Sequence, residues 1–300
     1  MSIPPGPLMS PGGDSVVRAI TDDGAFRVIV ARTTATVRGA VAAQNARGPT
    51  ARHFGELLTG AVLIREAMAP GLRVQAILKG AGSKGSLVAD SHPDGTSRGL
   101  VNFGVARPAE AGTAPEISVR GGALLQVMRT LPGGSLHQGV VEVPDAGGIS
   151  GGLMSYMAES EQVVSTIGVT AIFDAGELVV AGGYLVQLLP EVERGPLMVM
   201  TERLAELQNL DEVLRTQGGS PDALLDELLY GMPFTRLEES PLGFACHCSQ
   251  LRVVASLASL PRSDIEDLVR DGEVLEIRCD YCGKDYGIPP AQLRPLLTPN

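Results

Sequence analysis

Four residues of this chain can do chemistry that the rest cannot: Cys246, Cys248, Cys279 and Cys282, its only cysteines. They stand as two close pairs, Cys-His-Cys and Cys-Asp-Tyr-Cys, with 30 residues between the pairs. Two close pairs suit a tetrahedral metal site, because each pair spans one edge and the intervening chain closes the figure. Four thiolates complete the shell of a zinc ion, so His247 reads as a spacer rather than a ligand. Gly283 follows the second pair, where a positive-φ turn would point backbone N–H groups at sulfur. The same thiols can be oxidised. The single residue between Cys246 and Cys248 allows a disulfide only with strained geometry, and strained disulfides are labile. The pattern predicts a site that holds one zinc ion when reduced and releases it on oxidation.

The elements around these pairs form a small unit, expected to span residues 244–300. Residues 251–260 read as a helix. Ser263 to Glu266 matches a capping box that opens a second helix, closed by Gly272. Residues 274–278 read as a strand that delivers Cys279. Phe244, Leu251, Val254, Leu257, Leu260, Ile265, Leu268, Leu275 and Ile277 are the candidate core. So little apolar surface cannot hold such a unit by itself, and structural zinc adds about 10–16 kcal/mol in small zinc peptides.

Upstream, residues 1–13 are rich in Pro, Gly and Ser and read as a flexible tail. Residues 14–193 mix strands and helices. Residues 25–31 and 33–39 are β-branched and read as adjacent strands. Apolar residues at helical spacing predict a helix over 50–68, ended by Pro70 and Gly71. Strands are expected over 72–78, 86–89 and 139–144, and a helix over 149–164. Asp174-Ala-Gly176 joins strands at 167–173 and 177–189 as a hairpin. Residues 194–243 read as a helical linker. Within it, 201–217 is one amphipathic helix, and Ser220-Pro221-Asp222 starts another that carries Leu224, Leu225, Leu228 and Leu229. The expected fold class is α+β: an N-terminal mixed domain of sheets and packed helices, a helical linker and a small zinc-binding α+β domain.

The formal charge of −10 disfavours nucleic acid and anionic membrane as partners. No run of about 20 apolar residues exists, and the N-terminus has no signal-peptide pattern. A cytoplasmic location is expected, where clustered cysteines are metal ligands or redox groups rather than structural disulfides.

Phe-Ala-Cys246-His-Cys248-Ser, then Cys279-Asp-Tyr-Cys282-Gly-Lys-Asp-Tyr286, resembles the heat shock protein 33 family. So do Tyr156 with Ser160-Glu161-Gln162, and Ala181-Gly182-Gly183 with Gln187 and Pro190. Arg98-Gly99, and Asp14 with Arg18-Ala19, fit as well, so the resemblance runs from about residue 14 to the end. It implies an ATP-independent, redox-regulated holdase chaperone and no enzyme. It implies zinc on Cys246, Cys248, Cys279 and Cys282 in the reduced state. On oxidation it implies two disulfides, Cys246–Cys248 and Cys279–Cys282. It further implies coupled unfolding of the zinc domain and linker, binding of unfolding client proteins, and a homodimer in the oxidised form.

Three other motifs carry less. Gly80 to Gly85 matches G-x-G-x-x-G but leads into a strand, so a hairpin turn is expected rather than a nucleotide site. Gly148 to Gly152 matches G-x-S-x-G, but the turn is not sharp and the one downstream histidine is His247. Cys279-x-x-Cys282 as a thioredoxin-like dithiol would need a helix at the motif, which Gly283, Pro289 and Pro290 oppose. His53, His92, His137 and His247 are scattered and suggest no second metal. The rival to a chaperone is a structural zinc-ribbon-type binding module for nucleic acid or protein, without a redox-switched activity. The acidic balance speaks against it.

Overall fold

The computed structural model describes residues 13–68, 70–104, 116–190, 194–207 and 209–297. The expected tail lies outside these residues except for Gly13. Contacts divide the chain into two compact units, with the division between Ala245 and Cys246.

The first unit runs β1 (Ser15–Thr21), β2 (Phe26–Arg32), α1 (Thr34–Gln44), α2 (Gly48–Met68), β3 (Val74–Lys79), β4 (Ser86–Ser91), β5 (Thr96–Asn102), β6 (Leu124–Thr130), β7 (Leu136–Glu142), α3 (Gly148–Glu159), β8 (Ser165–Asp174) and β9 (Glu177–Leu188). It continues through α4 (Arg194–Glu206), α5 (Leu210–Thr216), α6 (Pro221–Leu228), β10 (Phe234–Arg236), β11 (Ser240–Pro241) and β12 (Gly243–Phe244). One sheet has the order β10-β1-β2-β9-β8, with β11 also on β1, and is antiparallel. The other has the order β12-β5-β4-β3-β6-β7, antiparallel except where β12 joins β5.

Helix α2 packs on β2, β8 and β9 of the first sheet and on β3, β4 and β5 of the second. It is buried almost all round, as its apolar sequence requires. Its few charged side chains are therefore paired. Glu66 accepts from Arg18 Nε at 2.9 Å and meets Arg65 Nη2 at 2.6 Å. Arg27 donates to the Glu66 and Ala67 carbonyls at 3.0 Å each, a cationic cap on the helix C-terminus. The Arg98-Gly99 pair has a physical reason. Arg98 donates to buried Asp90 at 3.1 Å, and a Cβ on Gly99 would lie 2.4 Å from the Phe54 ring of α2.

Helices α4–α6 lie on the other face of the first sheet. Met200, Leu207, Leu214, Leu224, Leu225 and Leu228 pack there on Val17, Val28, Val30, Val180 and Val186. Among the described residues, no helix is long and apolar enough to cross a membrane.

The α+β class holds, and several local readings differ. Residues 33–39 are helical, not a strand. The Asp14 carboxylate accepts from Ala35 N, Thr36 N and Thr36 Oγ1 at 2.6–3.0 Å and caps α1 from a distant part of the chain. The helix read over 201–217 is two helices, because Asn209 caps α5 through Glu212 N. The helix read over 149–164 ends at Glu159, and Gln162 follows at φ 57°. Strands β1, β5 and β6 were not expected; in β5 and β6 mixed polar residues hide the alternation. Ser150, of the G-x-S-x-G match, sits inside α3, where its hydroxyl accepts from Val169 N. Gly80 to Gly85 is the turn between antiparallel β3 and β4, as expected.

The second unit comprises α7 (Gln250–Leu257), α8 (Arg262–Asp271), β13 (Leu275–Arg278), β14 (Asp285–Ile288) and α9 (Pro290–Leu293). Strands β13 and β14 form an antiparallel hairpin. Its buried core is Ile265, Tyr286, Ile288 and Leu293, with Val254, Leu257, Leu268, Leu275 and Ile277 half-buried around them. Leu251 and Leu260 are exposed instead, and Phe244 packs in the first unit against Gly39. The expected capping box does not form: α8 begins at Arg262, Ser263 lies inside it, and Pro261 occupies the cap position without a side-chain bond.

Candidate metal centre

The first cysteine pair precedes α7. Ser249, directly after Cys248, caps that helix by accepting from Arg252 N at 3.3 Å. Arg252 also donates to the His247 carbonyl at 2.7 Å. These two bonds fix the chain through Cys246-His247-Cys248.

The second pair sits in the β13–β14 turn. Arg278 pairs with Asp285 in register, and the turn closes by Cys279 N to Lys284 O at 2.9 Å and Gly283 N to Cys279 O at 2.8 Å. Gly283 has φ 70°, the left-handed conformation its sequence position suggested. Cys248 and Cys279 both pack against the apolar core of the unit.

The two pairs converge. All four Sγ atoms lie within 4.8 Å of one another, the one such ligand group among the described residues. The short contacts run between the pairs: Cys246 to Cys279 at 3.8 Å and Cys248 to Cys282 at 3.4 Å. None of the four cysteines is in a disulfide, and all are partly buried. His247 is not in the group. Burial, together with bonds to the neighbouring thiols, pushes the Cys282 thiol up to about 12 against the lowering effect of the Lys284 N–H. Four crowded thiols resist ionising together, and a bound cation reverses that preference. The donor set and its spacing thus suit a metal ion.

One further side chain at the site escapes sequence reasoning. The Tyr286 hydroxyl donates to Cys248 Sγ at 3.0 Å. Tyr286 was legible as part of the Gly-Lys-Asp-Tyr run, but only the hairpin register brings its hydroxyl to sulfur.

The family model described as Hsp33 protein matches residues 14–289. The chain belongs to the Hsp33 family. A 33 kDa chaperonin of Citrifermentans bemidjiense is 31% identical over 290 residues, which cover 95% of this chain and 97% of that one. A 33 kDa chaperonin of Geobacter sp. strain M21 is 32% identical over 292 residues, at 95% and 97% coverage. A solved 33 kDa chaperonin of Thermotoga maritima shares the fold, with a TM-score of 0.78 over 95% of this chain and 97% of that one, at 23% identity. Family membership and the four-cysteine group together make this a redox-regulated holdase chaperone, a non-catalytic function.

Several residues outside the metal unit that carried the resemblance make structural contacts. Asp14 caps α1, and Arg18 holds Glu66. Tyr156 donates to Glu161, whose carboxylate takes a bidentate pair from Arg129 at 2.6 and 2.7 Å. Burial, then the Glu161 carboxylate, raises the Tyr156 hydroxyl above its ordinary range.

Proposed function

We propose that Cys246, Cys248, Cys279 and Cys282 hold one zinc ion per chain in the reduced state, and that their oxidation switches on client binding. The observation that carries this is the pair of cross-pair sulfur contacts, 3.4 and 3.8 Å. Sulfurs about 2.3 Å from a tetrahedral zinc would stand about 3.8 Å apart. Four thiolates without oxygen ligands favour zinc over calcium or magnesium. Bound zinc would neutralise the thiolates and tie the first pair to the hairpin.

On oxidation the pairs close as Cys246–Cys248 and Cys279–Cys282. Each pair yields two electrons to one peroxide molecule, whose O–O bond breaks as the S–S bond forms. The support for this pairing is closeness in sequence together with the family resemblance. The sulfurs no longer bridge the pairs, and the metal unit loses what its small core cannot replace.

The chain divides on this reading into a core over 14–193, a helical linker over 194–243 and a metal unit over 244–300. The linker loosens along with the metal unit. The apolar face it covers, with Val17, Val28, Val30, Val180 and Val186, suits non-native chains. The oxidised form is a homodimer. The charge of −10 disfavours nucleic acid and anionic membrane as partners, and a cytoplasmic location goes with the family reading.

Peroxide with mild heat should release one zinc per chain and start suppression of a client's aggregation in the same interval. Zinc retained after oxidation, or lost without that activity, would contradict the proposal.

A further inference from the structure

Tyr286 stands in β14 opposite Ile277 of β13. Alternation along the strand buries Tyr286 and Ile288 and exposes Asp285 and Gly287. The ring lies in the apolar core with Ile265, Ile288 and Leu293. A buried tyrosine hydroxyl needs a polar partner. Here the partner is sulfur: the O–H donates to Cys248 Sγ at 3.0 Å. The Lys284 ammonium sits 5.2 Å from the ring centroid, where a cation polarises the phenol and strengthens its donor.

We infer that Tyr286 is a positioning residue that restrains the reactivity of Cys248. An O–H donor draws density from the sulfur lone pair and occupies one direction of approach. Cys248 therefore attacks electrophiles more slowly than its exposure allows. The restrained step is attack of the Cys248 sulfur on one oxygen of hydrogen peroxide. The O–O bond breaks, sulfur is oxidised to a sulfenic acid, and the departing hydroxide takes a proton to become water. A second thiolate then attacks that sulfur, the S–S bond forms and hydroxide leaves. The inference rests on the reading of the four cysteines as redox-responsive ligands.

The test compares full-length, reduced, zinc-loaded wild type with Tyr286→Phe under limiting iodoacetamide, with alkylation resolved by peptide. Loss of the hydroxyl should speed alkylation of Cys248 by about tenfold. Cys246, Cys279 and Cys282 should change by less than about twofold. An unchanged Cys248, or an equal rise at all four, overturns the inference, because a merely structural role loosens the whole site. Lys284→Met keeps the hydroxyl and should raise the Cys248 rate selectively by about twofold. It decides the matter if the phenylalanine variant fails to fold, and a flat Lys284→Met result then overturns the inference. Cobalt(II) separates the two readings: a wild-type protein without thiolate-to-cobalt absorption defeats the ligand reading, whereas absorption without Cys248 selectivity defeats only the role of Tyr286.

Discussion

The two units solve the problem of staying folded by different means. The first wraps two sheets around α2, whose 21 residues are buried almost throughout, and pairs the charges that this burial traps. The second buries four apolar side chains, and its helix α7 buries none. A core of the first kind yields only to the loss of many contacts. A unit of the second kind would depend, on the proposed reading, on a metal held by four sulfurs, which one chemical event can remove. The difference teaches where a redox signal can act: the thiols lie where apolar packing is least.

The contrast can be broken first at the sulfurs. Cys279→Ser should remove most of the folding energy of residues 246–297, because metal binding at such sites supplies about 10–16 kcal/mol. Amide exchange in α8 and β13–β14 should become fast while α2 stays protected. Equal loss in both units would end the comparison.

A smaller effect is expected at Asp90. Its buried carboxylate takes Arg73 Nε at 2.5 Å and Arg98 Nε at 3.1 Å. Burial pushes that carboxyl up, but the His92 and Arg73 bonds outweigh it and hold it well below the usual carboxylate range. Its folded-state pKa lies under the unfolded one, so its stabilisation is complete above about pH 4 and fades as pH falls further. Asp90→Asn should cost the first unit about 3 kcal/mol at neutral pH and blunt its acid sensitivity, read by denaturant midpoints at pH 7 and pH 3.

The smallest effect sharpens the contrast inside the first unit. Helix α5 is tied to the sheet by Thr170 Oγ1 donating to Asp211 at 2.6 Å and by the exposed Arg52–Asp211 pair at 3.3 Å. Asp211→Ala should cost about 1 kcal/mol, most of it from the hydrogen bond, since exposed ion pairs contribute little. Exchange should rise in α5 and leave α2 unchanged.

How legible these features are in the sequence depends on how local their causes are. The meeting of the four sulfurs is readable from spacing, because two short pairs leave the chain few other ways to use them. Ser220 announces α6, and its hydroxyl accepts from Ala223 N at 3.3 Å. The helix at 34–44 is hidden, because its cap, Asp14, comes from before β1. Tyr286 is hidden for a related reason: an aromatic residue in an alternating strand looks like core, and only the register against β13 shows its hydroxyl at sulfur. Leu251 and Leu260 mislead in the opposite sense, since a unit with so small a core leaves some of its apolar residues exposed.

The most direct test of the central claim is amide hydrogen exchange on the full chain, with zinc content followed in the same samples before and after peroxide. Protection in α8 and β13–β14 should collapse in step with zinc loss, while α2 and β9 stay protected. Zinc lost with the hairpin still protected would contradict the account.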